Sequence, residues 1–330
     1  MTKQTGNSKV VALSGGIGGA KLALGLSRIL PPEDLSIVAN TGDDFEHLGL
    51  SISPDIDTLK YTLAGLDNPE LGWGRRDETW SFMSALREIG GEDWFNLGDR
   101  DLAIHVERSR RLASGERLTT VTQDIAASLG VRPRILPMSD DPVRTFVESD
   151  HGRLQFQDYF VRRQCKPVVK ALEFVGAETA KISPDVNELL SGSELRAVVI
   201  CPSNPLISIE PILAVPGMRD AIAKCRAPVI AVSPIVSGRA IKGPTAKMLS
   251  ELGFTATAET VGKRYDDILD AYIVEQDDLE KCQAAGLACE VYSAQTIMKT
   301  LEDREALAQT VLDVADRIRS REATEVRALG

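Results

Sequence analysis

The sequence predicts an α/β protein: a Rossmann-like, mostly parallel, doubly wound sheet with an inserted helical region. Three observations carry this. The apolar run Val10–Leu13 stops at a glycine string and gives way to a helical pattern, as a buried strand feeding a helix does. Similar runs recur late in the chain, with helical spacing between them. Residues from about 57 to 129 lack such runs and read as helices punctuated by glycines at 72, 74, 90, 91 and 115.

Each element follows from its residues. After the first strand, Gly18–Leu30 places Leu22, Leu26 and Ile29 at helical spacing, and Pro31-Pro32 ends it. Leu35–Ala39 is the second strand, parallel to the first across a right-handed crossover. Arg134–Pro137 reads as a return strand, and Leu154–Val161 with Ala171–Val175 alternates as a hairpin or edge pair. Strands are expected at Ala197–Cys201, Val229–Val232, Ala271–Val274 and Cys289–Tyr292. Helices are expected at Pro216–Lys224, Pro244–Leu252, Asp277–Ala284 and Leu301–Ser320. The organisation is a single nucleotide-binding domain over 8–320, its helical insertion at about 57–129, and a disordered, charged tail over 321–330.

The bulk properties narrow the function. In 330 residues, 43% are hydrophobic, the mean hydropathy is −0.08 and the formal net charge is −10. No apolar run approaches the about 18 residues of a membrane span, and a basic stripe for nucleic acid is not expected. The polar N-terminus lacks the pattern of a secretory leader. Five cysteines without a CxxC pair suit a reducing cytoplasm, and three histidines without metal-ligand spacing argue against structural zinc.

Chemistry concentrates in loops after the strands. Ser14-Gly15-Gly16-Ile17-Gly18-Gly19-Ala20-Lys21 opens a helix, where glycine lets backbone N–H groups approach phosphate oxygens and the helix terminus adds positive charge. The spacing is neither that of a Walker loop nor a clean dinucleotide fingerprint; a tight turn needing glycine for packing alone is the structural alternative. Asn40-Thr41-Gly42-Asp43-Asp44 and Ser53-Pro54-Asp55-Ile56-Asp57-Thr58 follow. Carboxylates beside a phosphate site need a cation between them, so Asp43, Asp44, Asp55 and Asp57 are candidate Mg2+ ligands; Ser53 or Asp55 can equally cap the next helix. Arg100, in Asp99-Arg100-Asp101, is suited to a phosphate or ring contact, and His105 lies one helical turn beyond Asp101. Ser203, Asn204 and Ser237 stand in later strand-end loops, where they can bond a base or phosphate or simply make turns.

Read together with Leu136-Pro137-Met138-Ser139-Asp140-Asp141-Pro142, Pro202-Ser203-Asn204-Pro205 and Ser233-Pro234-Ile235, these motifs resemble, in order, the 2-phospho-L-lactate transferase family of deazaflavin coenzyme (F-420) biosynthesis. The resemblance spans about Val10 to Leu312. It implies a cytoplasmic, Mg2+-dependent transferase, expected to be a homodimer. Such an enzyme moves a phospho-three-carbon acid from a guanosine diphosphate donor to the ribityl hydroxyl of 7,8-didemethyl-8-hydroxy-5-deazariboflavin and releases GMP. Lactyl, enolpyruvyl and glyceryl donors occur among such enzymes. Gly15, Gly16, Gly18, Gly19 and Lys21 would hold the diphosphate, and Ser203, Asn204 and Ser237 the guanosine. Asp55, Asp57 and Arg100 would meet the deazaflavin, with Asp55 or Asp57 taking the hydroxyl proton. The competing readings are a non-catalytic nucleotide-sugar-binding regulator of the gluconeogenesis-factor type and a nicotinamide dehydrogenase.

Overall fold

The computed structural model describes residues 8–70, 73–240 and 243–329. Seven strands form one parallel sheet: β1 (Lys9–Ser14), β2 (Leu35–Ala39), β3 (Arg134–Pro137), β4 (Leu195–Ile200), β5 (Val229–Val232), β6 (Ala271–Val274) and β7 (Glu290–Ser293). Their spatial order is β3-β2-β1-β4-β5-β6-β7. The winding reverses between β1 and β4, where Leu13 lies opposite Val38 on one side and Ile200 on the other. Loops leaving the carboxyl ends of β1 and β4 diverge there and open a crevice.

Alternation along β1 builds both faces, because successive side chains point to opposite sides of a sheet. Val11 and Leu13 join one core cluster with Leu206 and Ile209. Val10 and Ala12 join the other, with Leu22 and Leu26 of α1 (Gly16–Ile29) and Leu307 and Val311 of the last helix (Leu301–Leu329). Helix α1 begins at Gly16, two residues before the expected start.

Between β2 and β3 lie a short antiparallel pair, Phe45–His47 with Leu50–Ile52, and helices α2 (Pro54–Ala64), α3 (Ser81–Glu88), α4 (Asp99–Ala113) and α5 (Leu118–Ser128). The pair closes through Leu48 and Gly49, both at positive φ (53° and 73°), a tight hairpin turn that asparagine-glycine normally signals. With leucine in that place, the sequence carried no sign of it.

The expected hairpin of 154–161 with 171–175 is replaced by a three-stranded antiparallel sheet, with Arg144–Ser149 between Gly152–Gln155 and Val169–Val175. Its central strand buries Thr145, Val147 and Ser149; two of the three are polar, which hid the alternation. Residues Asp158–Arg162 form a helical turn in place of a strand, and Phe156 stacks on Phe160 across it at a centroid distance of 5.4 Å. The last helix continues to Leu329, past Arg321 where the sequence suggested that order ends; the alanine, arginine and glutamate there are good helix formers. Among the described residues no helix is long and apolar enough to cross a membrane. Lys242, Gly72 and the start of the chain to Asn7 lie outside the described residues.

Candidate active site

The crevice at the β1–β4 junction is a cleft of about 640 Å³. Its walls include Gly15, Gly16, Ile17, Gly18 and Lys21 from the start of α1, Asp43 after β2, Asp55 and Asp57 from α2, and Ser203 and Asn204 after β4.

The glycine loop is built by close approach. A Cβ on Gly15 would lie 2.6 Å from both Asp55 Oδ2 and Ser208 Cβ, and one on Gly18 would run into the Pro202 carbonyl. Gly19 is pressed against Ser203 and Ser14 behind the wall and does not line the cleft. Packing therefore accounts for much of the glycine content, yet it also brings two loops to one point. The Gly15 N–H donates to Ser203 Oγ (3.2 Å) and the Gly16 N–H to Asp55 Oδ1 (2.7 Å). The next amides, of Ile17 and Gly18, belong to the first turn of α1 and have no intrahelical partner. Both line the cleft, so the anion-binding capacity of the helix terminus rests on them. Lys21 lines the cleft as well, with its Nζ donating to the Met298 carbonyl (2.9 Å).

Helix α2 supplies the carboxylates. Pro54 starts it, and Asp55 and Asp57 occupy its first turn, where negative charge suits the helix dipole. Ser53 holds the capping position, but its hydroxyl donates to Asp44 Oδ2 (2.9 Å), so capping does not explain the motif. Asn40 ties the cluster together. Its amide donates to Asp55 Oδ2 (2.8 Å) and the Ile207 carbonyl (3.1 Å), and its Oδ1 accepts from the Gly42 N–H (2.8 Å).

The four aspartates live in different electrostatic worlds. Asp43 is buried and its carboxyl is pushed well above the usual carboxylate range, chiefly by burial and then by the charge of Asp55, against a hydrogen bond from Asn40. Its Oδ1 is buried without a hydrogen-bond partner among the described residues. Burial raises Asp55 to about 6, with Asn40 and the Gly16 N–H opposing. Asp44 is raised to about 7, again chiefly by burial, and it does not line the cleft. Asp57 is the reverse case. Burial would raise it, but Arg108, then Lys60 and His105, together hold it far below the usual range. The Lys60 ammonium lies 2.7 Å from Asp57 Oδ1, and Arg108 Nη2 donates to the same oxygen.

Arg100 and Ser237 stand apart from this assembly. Arg100 is exposed, and its backbone N–H donates to Glu78 (2.8 Å). Ser237 sits at φ 48° in the turn of a small hairpin, its N–H bonded to Asp278 (2.8 Å). Neither lines the cleft. What the sequence reading missed is the aromatic part of the wall: Tyr61, Trp73, Phe95, Phe156 and Phe160. They come from separate segments, and no single stretch signals a ring-binding surface.

An α/β fold wound in this order, with helix-terminal amides and buried carboxylates meeting at its switch point, belongs to the class of open-sheet proteins whose ligand crevice lies at the carboxyl ends of the strands. The chain belongs to the 2-phospho-L-lactate transferase CofD family, whose sequence profile matches residues 10–316. It is thus a transferase of coenzyme F-420 biosynthesis, a family that implies a nucleotide-linked donor and a deazaflavin-type acceptor. That membership decides against the regulator and dehydrogenase readings.

A phosphoenolpyruvate transferase of Kitasatospora aureofaciens is 41% identical over 321 residues, covering 94% of this chain and 99% of the relative. A 2-phospho-L-lactate transferase of Methanosarcina mazei is 36% identical over 304 residues, covering 92% and 99%. Among solved structures, protein BH3568 of Bacillus halodurans superposes with a TM-score of 0.59 over 93% of this chain and 99% of that one. At 15% identity that likeness speaks to the fold alone.

Proposed function

We propose that the chain moves a phospho-three-carbon-acid group from a guanosine diphosphate donor to the ribityl hydroxyl of 7,8-didemethyl-8-hydroxy-5-deazariboflavin, releasing GMP. One observation carries the reading: Asp43 and Asp55 are buried, mutually repelling carboxylates in one cleft with Ile17 and Gly18, whose amides have no intrahelical partner. Such a pair is costly without a cation between it.

The donor set fits Mg2+, a hard cation that takes oxygen ligands and bridges to phosphate. Asp43, with its orphaned Oδ1, and Asp55 would hold it. Asp57 would not, because Lys60 and Arg108 already neutralise it. A cation there supplies neutralisation of the charge that builds on the departing phosphate. The amides of Ile17 and Gly18 bind the diphosphate, and Ser203 and Asn204 position the nucleotide. Asn204 offers a buried Nδ2 without a partner among the described residues. Attack by the ribityl oxygen on the acid-bearing phosphorus breaks its bond to the bridging oxygen, which leaves with GMP. The hydroxyl proton goes to Asp55 or Asp57, the two carboxylates that the first turn of α2 brings to the cleft.

The enolpyruvyl donor is the assigned substrate form, supported by the higher identity to the phosphoenolpyruvate transferase. Incubation with Mg2+, deazariboflavin and each of the lactyl, enolpyruvyl and glyceryl donors, followed by mass spectrometry, tests both parts. Preferred conversion of the enolpyruvyl donor is expected. No conversion of any donor overturns the reading, and a preference for another donor overturns the substrate assignment alone.

A further inference from the structure

Beside the phosphate region the cleft wall carries a donor–acceptor pair that the phosphoryl chemistry does not use. His105 of α4 lines the cleft yet is only 2% exposed. Arg108 Nη1 lies 3.2 Å from its Nδ1. A guanidinium can only donate, so Nδ1 accepts and the ring proton sits on Nε2. That Nε2 is buried with no hydrogen-bond partner among the described residues, and Asp101 Oδ2 stands 3.2 Å from it. Asp101, in turn, is held from outside. Tyr61 donates its phenol proton to Oδ1, and Glu78 anchors the Asp101 backbone N–H (3.0 Å).

An N–H donor and a carboxylate acceptor this close together suit a group that accepts from one partner and donates to the other, as a hydroxyl does. A metal ion is the rival occupant, since oxygen or nitrogen atoms of Asp57, Asp101 and His105 lie within 4.8 Å of one another. Lys60 and Arg108 already stand against Asp57, so a divalent ion would meet two cations there. We infer that His105 Nε2–H and the Asp101 carboxylate together bind a second hydroxyl of the acceptor's polyhydroxyl chain, holding the chain while another hydroxyl reacts. The inference rests on the proposed acceptor and makes His105 a residue that selects for a hydroxylated chain.

The test is binding of deazariboflavin and of analogues each lacking one ribityl hydroxyl, read by acceptor fluorescence, on the full-length protein and two variants. His105→Asn keeps an acceptor for Arg108 but cannot reach the hydroxyl; His105→Gln restores a donor near the Nε2 position. Wild type should lose about tenfold in affinity for one particular analogue, the scale of one hydrogen bond. His105→Asn should bind deazariboflavin about tenfold more weakly, show no further loss with that analogue, and keep its donor affinity. His105→Gln should recover most of the loss. Equal analogue losses in wild type and His105→Asn, or a parallel loss of donor affinity, overturn the inference and leave the proposed function standing. Wild type that binds no deazariboflavin overturns both.

Discussion

Asp43 and Asp57 stand in opposite electrostatic surroundings at the scale of single residues, and their substitution should show it. Asp43 has a folded pKa raised above its ordinary 3.8, so its stabilising contribution is present below that value and lost as pH rises through the folded one. Asp43→Asn should therefore raise the Tm of the metal-free protein by about 1–3 °C at pH 8, with the gain fading toward pH 4. The same variant should lower turnover about 100-fold or more. Thermal melts across that range, with activity assays, check both halves. Asp57→Asn leaves Lys60 and Arg108 buried without their counter-charge and should cost about 3–5 kcal/mol in urea unfolding. The acidic motifs were legible in the sequence, but their division of labour was not. It depends on Arg108, 51 positions away in the chain, and on which carboxylate the burial leaves alone.

At the scale of elements, the loop after β1 and the loop after β4 interlock through Gly15, Gly18 and Ser203. Gly18→Ala drives a methyl group into the Pro202 carbonyl, a backbone group with little room to yield. Nucleotide affinity should fall at least about tenfold, measured by calorimetry with GDP and Mg2+, because the amides of Ile17 and Gly18 shift with the helix end. The strand–loop–helix start was readable because a continuous apolar run, glycines and a helical period coincide within thirty residues. The sheet around Arg144–Ser149 was not, since its buried face includes Thr145 and Ser149, whose polarity mimics a solvated loop. The aromatic wall was equally hidden, as Tyr61 and Phe160 come to one cleft only through the fold.

For the molecule as a whole, a donor bound at the switch point between β1 and β4, as proposed, would link its binding to folding. GDP with Mg2+ at 100 times its dissociation constant should stabilise the protein by about 2.7 kcal/mol, and chelation of the metal should abolish most of that gain. A chelator-insensitive stabilisation by GDP would refute the place given to Asp43 and Asp55. The doubly wound order was within reach of the sequence because buried parallel strands announce themselves as apolar runs.

Gly25 of α1 has no space for a side chain because the Arg304 carbonyl of the last helix fills it, and Leu307, Ala308 and Val311 continue that seam. The helix that opens the cleft is consequently braced by residues nearly three hundred positions later. A truncation that removed the brace would leave every residue of the proposed site in place and still loosen the anchorage of α1.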